Sequence, residues 1–339
     1  MSAANLTVPG TTPAPTRRRL SPAMRVALLG SMAALAVFAF LAIGSGGDLL
    51  FTLEFRGRKL AGMVLVGWAT GVATVAFQTV TGNRILTPSV MGLDALYAFV
   101  QTFLLFQLGA TITATLGPVP MFGINLGVMM GFGVLLSLLL ANRRTNVHLL
   151  VLIGIVLGTL LRSLQSLLTR MMDPTSFTQL QTYLFASFNT VHPELLWVAA
   201  VLIAAGSGWL WWRRHELDVM MLGPDAAQGL GVNPRRMITE VLLVSVLLVS
   251  ASTALVGPIT FLGLIVANVA YLVAGSGRHT WTMPVAGLLA IVMLVGGQAI
   301  LEQVFGLSTV LSVIIEFGGG LVFIWLVIKG SAVKKGAGA

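Results

Sequence analysis

Residues 60–80, LAGMVLVGWATGVATVAFQTV, run for twenty-one positions without a charged side chain, long enough for a helix to cross the hydrocarbon core of a bilayer. Apolar residues fall on every face of that helix, so it has no polar side to turn to water and needs lipid or other helices around it. Gly67 and Gly71 stand one turn apart. Such spacing lets a second backbone approach closely, which is how helices associate where lipid supplies no hydrophobic drive.

Runs of the same kind recur almost end to end. Spans are predicted at 24–43, 60–80, 92–108, 118–140, 147–168, 192–212, 237–256, 258–274, 282–303 and 308–328. The fold class is therefore an all-α polytopic membrane protein with about ten transmembrane helices. Composition agrees: 56% of the 339 residues are apolar, only 9% are charged, and the mean hydropathy is +0.93. Small-xxx-small pairs also occur at Gly127 and Gly131 and at Gly154 and Gly158. The absence of Cys excludes disulfides and Fe–S ligation. Residues 1–22, rich in Thr, Pro, Ala and Ser, read as a disordered basic cytoplasmic tail, 23–330 as the transmembrane domain, and 331–339 as a second cytoplasmic tail.

The net charge of +9 sets direction rather than function, because the basic residues sit between apolar runs and offer no continuous surface to nucleic acid. Lys and Arg favour the cytoplasmic side of short loops. With both termini inside, fifteen of the twenty basic residues fall on that side; Arg56, Arg58, Lys59 and Arg170 fall outside, and Arg162 lies within a span. On this topology Asn142 and Gln228 are cytoplasmic and Asp48 and Pro174 are external. Trp211 and Trp212 beside Arg213 and Arg214 fit an interfacial anchor.

The segment 215–236, HELDVMMLGPDAAQGLGVNPRR, is long for an inter-helix connection. Leu217, Met220 and Met221 make one apolar face, Gly223 and Pro224 break the chain, and Asp225 to Leu230 form a second short helix closed by Gly231 and Pro234. Two short amphipathic helices on the cytoplasmic side suit either a docking element for a soluble partner or a linker lying on the membrane surface.

Within that segment, LGPDAAQGLGVN resembles the cytoplasmic coupling loop of the FecCD, or vitamin B12 permease-like, family of ABC importers. Other pieces follow in family order. Arg56 to Lys59 leading into LAGMVLVGWATGVATVAFQ resembles the family's second helix, TGNRILTPSVMG (81–92) its link to the third, and GPITFLGLIVAN (257–268) its Gly-Pro-Ile-x-Phe-x-Gly-Leu element. The resemblance covers about residues 25–330. The chain departs from the family at Ala267 and Asn268, where Pro-His is common, at Arg58, where Pro is common, and near Glu302, where Arg is common. These departures look like the iron-siderophore branch.

The resemblance implies one permease subunit of an ATP-driven importer in the bacterial cell membrane, carrying an Fe(III)-siderophore by alternating access. Implied partners are a second permease, identical or homologous, two ATPase subunits holding ATP and Mg, and an extracytoplasmic siderophore-binding protein. Leu222, Gly223, Asp225, Ala226, Ala227, Leu230 and Gly231 would contact the ATPase. Arg56, Arg58 and Lys59 would receive acidic residues of the binding protein, or else pair with Glu54 or Asp48 or with the headgroups of membrane lipid. Gln78, Thr79 and Thr81 at the end of the second span and Arg162 and Gln165 in the fifth would line the pathway, or else hydrogen-bond between helices.

The residues themselves offer no catalytic set. There is no GxxxxGK[ST] phosphate loop, and His148, His192, His215 and His279 are scattered without a metal-binding spacing, so neither a cofactor nor a metal is expected on this chain. The alternative is a secondary transporter coupled to ions through intramembrane carboxylates such as Asp94, Glu240 or Glu316. It gives Glu316 a role but leaves the 22-residue cytoplasmic segment without one.

Overall fold

The computed structural model describes residues 21–42, 49–141, 147–189, 191–303 and 311–336. Its helices are α1 (Pro22–Ala42), α2 (Leu49–Thr81), α3 (Leu93–Thr115), α4 (Pro118–Ala141), α5 (Val147–Arg170), α6 (Pro174–Leu184), α7 (Pro193–Trp212), α8 (Arg214–Met220), α9 (Pro224–Gly229), α10 (Pro234–Val256), α11 (Leu262–Ala274), α12 (His279–Gln303) and α13 (Leu311–Gly336). Six of them open on proline, whose missing N–H is unneeded in a first turn and whose fixed φ suits helix initiation. Asn233 caps α10 through the Arg236 N–H, and Asp173 caps α6 through the N–H groups of Thr175 and Ser176.

Every expected span coincides with a helix. Eight are long and apolar enough to cross a membrane, while α11 and the Leu311–Trp325 part of α13 are shorter. At 1.5 Å per residue, α11 rises only about 20 Å, short of a hydrocarbon core of about 30 Å. The span expected at 258–274 thus starts in irregular backbone: residues 257–261 are non-helical, and Gly257 has φ 97°. Irregular backbone within a membrane protein has to be covered by protein. Here the Ser187 N–H donates to the Val256 carbonyl at 2.8 Å, and a Cβ at Gly257 would lie 3.1 Å from the Ala186 Cα.

Three features differ from the sequence reading. First, α2 begins at Leu49 and its 33 residues rise about 50 Å, so Arg56 to Lys59 belong to the helix rather than to a loop before it. Second, α6 is an extra helix that packs on α3, where Gly109 interrupts the helical dihedrals and the neighbouring Ala110 N–H donates to Ser176 Oγ at 3.1 Å. Third, α13 continues to Gly336, into the stretch read as a tail from 331. Most of the tail at 1–22, together with Asp48, Asn142, Arg143 and Arg144, lies outside the described residues.

The core is the seam between α2 and α12, with α10 packed along α2. A Cβ at Gly71 would sit 2.6 Å from the Ala286 carbonyl oxygen, and one at Gly67 3.0 Å from the Ile291 nitrogen, so the two backbones are nearly in contact. Gly154 and Gly158 do the same for α5 against Met91 and Gly92. Gly127 and Gly131 do not: nothing lies within 4 Å of a Cβ at either, and it is Gly133 on α4 that packs, against Val246.

Candidate functional site

Most of the expected site residues lie at two ends of the bundle. At one, α7 runs into α8 at Arg213, whose guanidinium pairs with Glu216 and, at 2.9 Å, with Glu240 of α10; Glu240 also accepts from Arg236 at 2.7 Å. One carboxylate between two arginines thereby fixes the start of α8 to the start of α10. Leu217 and Met220 turn their apolar side chains into the bundle, whereas Met221 is exposed. Gly223, at φ 99°, takes a backbone conformation that L side chains rarely adopt and turns the chain into α9.

Around α9, Leu222 and Leu230 are 65% and 63% exposed, and Asp225, Ala226 and Gly231 also face out. Two exposed leucines flanking small residues make an apolar knob with little side-chain bulk between them. Ala227 is the exception within the expected contact set. It is fully buried, and its carbonyl accepts from the Val232 N–H at 3.0 Å, so it seats α9 on the bundle and is not displayed.

Behind α8 and α9 lies a cavity of about 550 Å3, lined among others by Gln78, Thr79, Thr81, Arg84, Met220 and Tyr271. The three expected pathway residues of α2 are therefore brought together here. Gln78 Nε2 donates to the Arg84 carbonyl at 2.6 Å while its buried Oε1 has no partner, and Arg84 stacks over the Tyr271 ring at 4.6 Å. Arg162 and Gln165 are not part of this cavity. Arg162 is exposed on α5 and Gln165 half-buried.

The same end holds a cluster that sequence reasoning passed over. His279, 1% exposed, receives α8 through Asp218: Asp218 Oδ1 accepts from the His279 backbone N–H at 2.7 Å and lies 2.6 Å from Nδ1. Nε2 lies 2.7 Å from Thr79 Oγ1. Burial pushes the Asp218 carboxyl up, but the hydrogen bonds from the His279 ring and backbone outweigh it and hold the carboxyl below the usual carboxylate range. Asp218 and His279 are 61 residues apart, and no local spacing announces the pair.

At the opposite end, Lys59 is not displayed for a partner. It is 7% exposed, its Nζ lies 3.2 Å from Glu302 Oε1, and Glu302 accepts also from Gln298 Nε2 at 3.0 Å. The Phe55 ring lies 4.9 Å away. Arg56 donates to the Phe40 carbonyl at 2.8 Å, tying α2 to α1, and Arg58 is half-buried. Among the described residues the partner of Lys59 is Glu302; Asp48, like the Glu54 side chain, lies outside them. Between the two ends, Asp94 accepts from Thr260 Oγ1 at 2.7 Å, and Glu316 is half-buried on α13.

Residues 24–329 match the FecCD transport family. The petrobactin import system permease protein YclO of Bacillus subtilis is 40% identical over 307 residues, covering 90% of this chain and 97% of that protein. The petrobactin import system permease protein FatC of Bacillus anthracis is 32% identical, covering 81% and 78%. A solved inward-facing structure of a metal-chelate type ABC transporter superposes with a TM-score of 0.78 at 22% identity, covering 91% of this chain and all of that one, which shows a shared fold.

Proposed function

This chain belongs to the FecCD transport family, and on that premise we propose that it is a permease subunit of an ATP-driven importer that carries an iron-siderophore chelate into the cytoplasm. The single observation that carries the substrate class is the near full-length similarity to a petrobactin import permease. It is a multi-pass membrane protein, and its ATP hydrolysis belongs to a separate subunit.

The end bearing α8 and α9 faces the cytoplasm, where the positive-inside rule puts most of the basic residues. There Leu222, Asp225, Ala226, Leu230 and Gly231 form the contact with an ATPase subunit, Ala227 holding α9 beneath them. Closure of two ATPase subunits on ATP moves α8 and α9, and the helix bundle reorients against a second permease as a packed body. Gln78, Thr79 and Thr81 at the inner mouth, and Arg162 and Gln165 on the exposed face of α5, line the pathway at two depths. At the external end, Arg56 and Arg58 meet an extracytoplasmic binding protein, and Lys59 serves from beneath by holding α2 to α12.

The family match and the petrobactin import relatives favour ATP-driven transport over ion coupling, and Glu240, one of the three candidate carboxylates, is already engaged by Arg213 and Arg236. The deciding experiment reconstitutes the chain with its ATPase, second permease and binding protein and offers a panel of ferric siderophores, petrobactin among them. ATP-dependent uptake is expected. Uptake driven by a proton or sodium gradient without ATP would replace the proposal with the carrier reading.

A further inference from the structure

The short helix α8 is held in two different ways. Leu217 and Met220 give it apolar contact, which is non-directional and permits sliding, whereas Asp218 between them gives it a directional bond to the first residue of α12. The first turn of α12 has no acidic residue of its own. Asp218, reaching across from α8, therefore supplies both the acceptor and the negative charge that the N-terminus of a helix favours.

Beyond Asp218 the connection continues through the imidazole to the last turn of α2. Thr79 Oγ1 lies 2.7 Å from His279 Nε2 and 3.0 Å from the Val75 carbonyl. In the neutral ring, Nδ1–H donates to Asp218 and the Thr79 hydroxyl donates to Nε2. In the charged ring both nitrogens donate, and the hydroxyl proton turns to Val75 instead. Either protonation state satisfies every atom, so the connection persists through protonation and acts as a mechanical tie.

The tie ends on a stiff body and beside a cavity. Beyond Thr79, α2 is pressed on α12 at Gly71 and Ala286, where neither backbone has room to slip. Thr79 and Met220, on the two sides of the tie, both line the cavity at the inner mouth. A shift of α8 relative to α2 would reshape that cavity; with the tie in place, a shift of α8 must carry α2 and α12 along.

We propose that His279 is a positioning residue for transport, tying α8 through Asp218 to Thr79 of α2 so that displacement of α8 and α9 moves the α2–α12 pair instead of being absorbed at the cavity. The proposal rests on the coupling role given above to α8 and α9. Its test uses the complete reconstituted importer and measures substrate moved per ATP hydrolysed. Thr79→Val keeps shape and removes only the hydroxyl, His279→Ala removes the bridge, Thr79→Ser restores the hydroxyl, and Gly231→Trp reports on the coupling element itself.

Transport per ATP should fall by up to about tenfold in Thr79→Val and in His279→Ala, the size of one lost hydrogen bond, with ATP hydrolysis continuing. Thr79→Ser should restore it, and the double variant should be no worse than the worse single, because one tie can be cut only once. An unchanged ratio in Thr79→Val, with Gly231→Trp uncoupled, overturns the tie and leaves the coupling role standing. An unchanged ratio in Gly231→Trp as well overturns both. If His279→Ala fails to assemble, Thr79→Val and its serine rescue decide alone.

Discussion

The α2–α12 seam and the α5 face are built from similar apolar residues and answer to different surroundings. Within the chain, 67% of the residues in the apolar stretch of α2 are buried, against only 22% in that of α5. Along the seam, glycine and alanine bring backbone against backbone; along α5, Leu152, Val156, Leu160 and Leu167 are more than half exposed. Hydrophobicity alone does not tell a helix that crosses lipid from one that forms the core. Backbone contacts at small residues, together with polar ties between helices, do. The seam carries both: Lys59 with Glu302 near one end, and Thr79 with His279 near the other.

The largest expected effect breaks the seam at its external end. Lys59→Met leaves the Glu302 carboxylate, 10% exposed, without its countercharge. Removing one partner of a buried pair costs about 3–5 kcal/mol, while replacing both by apolar residues of similar size is often neutral. Thermal unfolding of the purified chain in detergent should therefore show a large loss in Lys59→Met and recovery of most of it in Lys59→Met, Glu302→Met. A single variant as stable as the double would mean that the pair does not hold the seam. Lowered affinity for a binding protein with unchanged stability would return Lys59 to a docking role.

A smaller effect is expected from crowding the middle of the same seam. A side chain at Gly71 meets the Ala286 carbonyl, which cannot swing aside as a side-chain tip can. Gly71→Val should cost about 1–3 kcal/mol through overpacking, read as a lower unfolding temperature and less folded protein in the membrane. Tolerance of valine there would show that α2 and α12 can separate, and would weaken the stiff-body part of the transport argument.

The ten apolar helices were legible in the sequence because lipid demands run length, and run length is local. The α8–α9 element was legible for a related reason: Gly223, Pro224, Gly231 and Pro234 punctuate the chain wherever it turns. Helix α6 carried a start signal too, Asp173 followed by Pro174, but its eleven residues of mixed polarity make neither a span nor a long amphipathic stripe. The ties were not legible. Lys59 and Glu302 are 243 residues apart and Thr79 and His279 200 apart, and a lone His at a helix start has no spacing that distinguishes a buried bridge from a solvated loop residue. The positive-inside count made Lys59 conspicuous, yet it bears on which side of the membrane a charge lies and not on what it touches.

The smallest effect tests whether a glycine pattern means contact. Gly67 with Gly71 and Gly127 with Gly131 are indistinguishable as spacings, but only the first pair meets another backbone, and the second is exposed with nothing within 4 Å of a Cβ. Glycine inside a helix is disfavoured by about 0.5–1 kcal/mol relative to alanine, because more backbone freedom is lost on folding. Where the added methyl meets open space, that term stands alone. Gly127→Ala should therefore leave the isolated chain as stable or slightly more stable, whereas Gly71→Ala already places its methyl against the Ala286 carbonyl and should destabilise. Measured side by side in detergent, the unfolding temperature should fall in Gly71→Ala and hold or rise in Gly127→Ala. If both fell together, the α4 pair would be a packing site within the chain and the contrast between seam and periphery would fail.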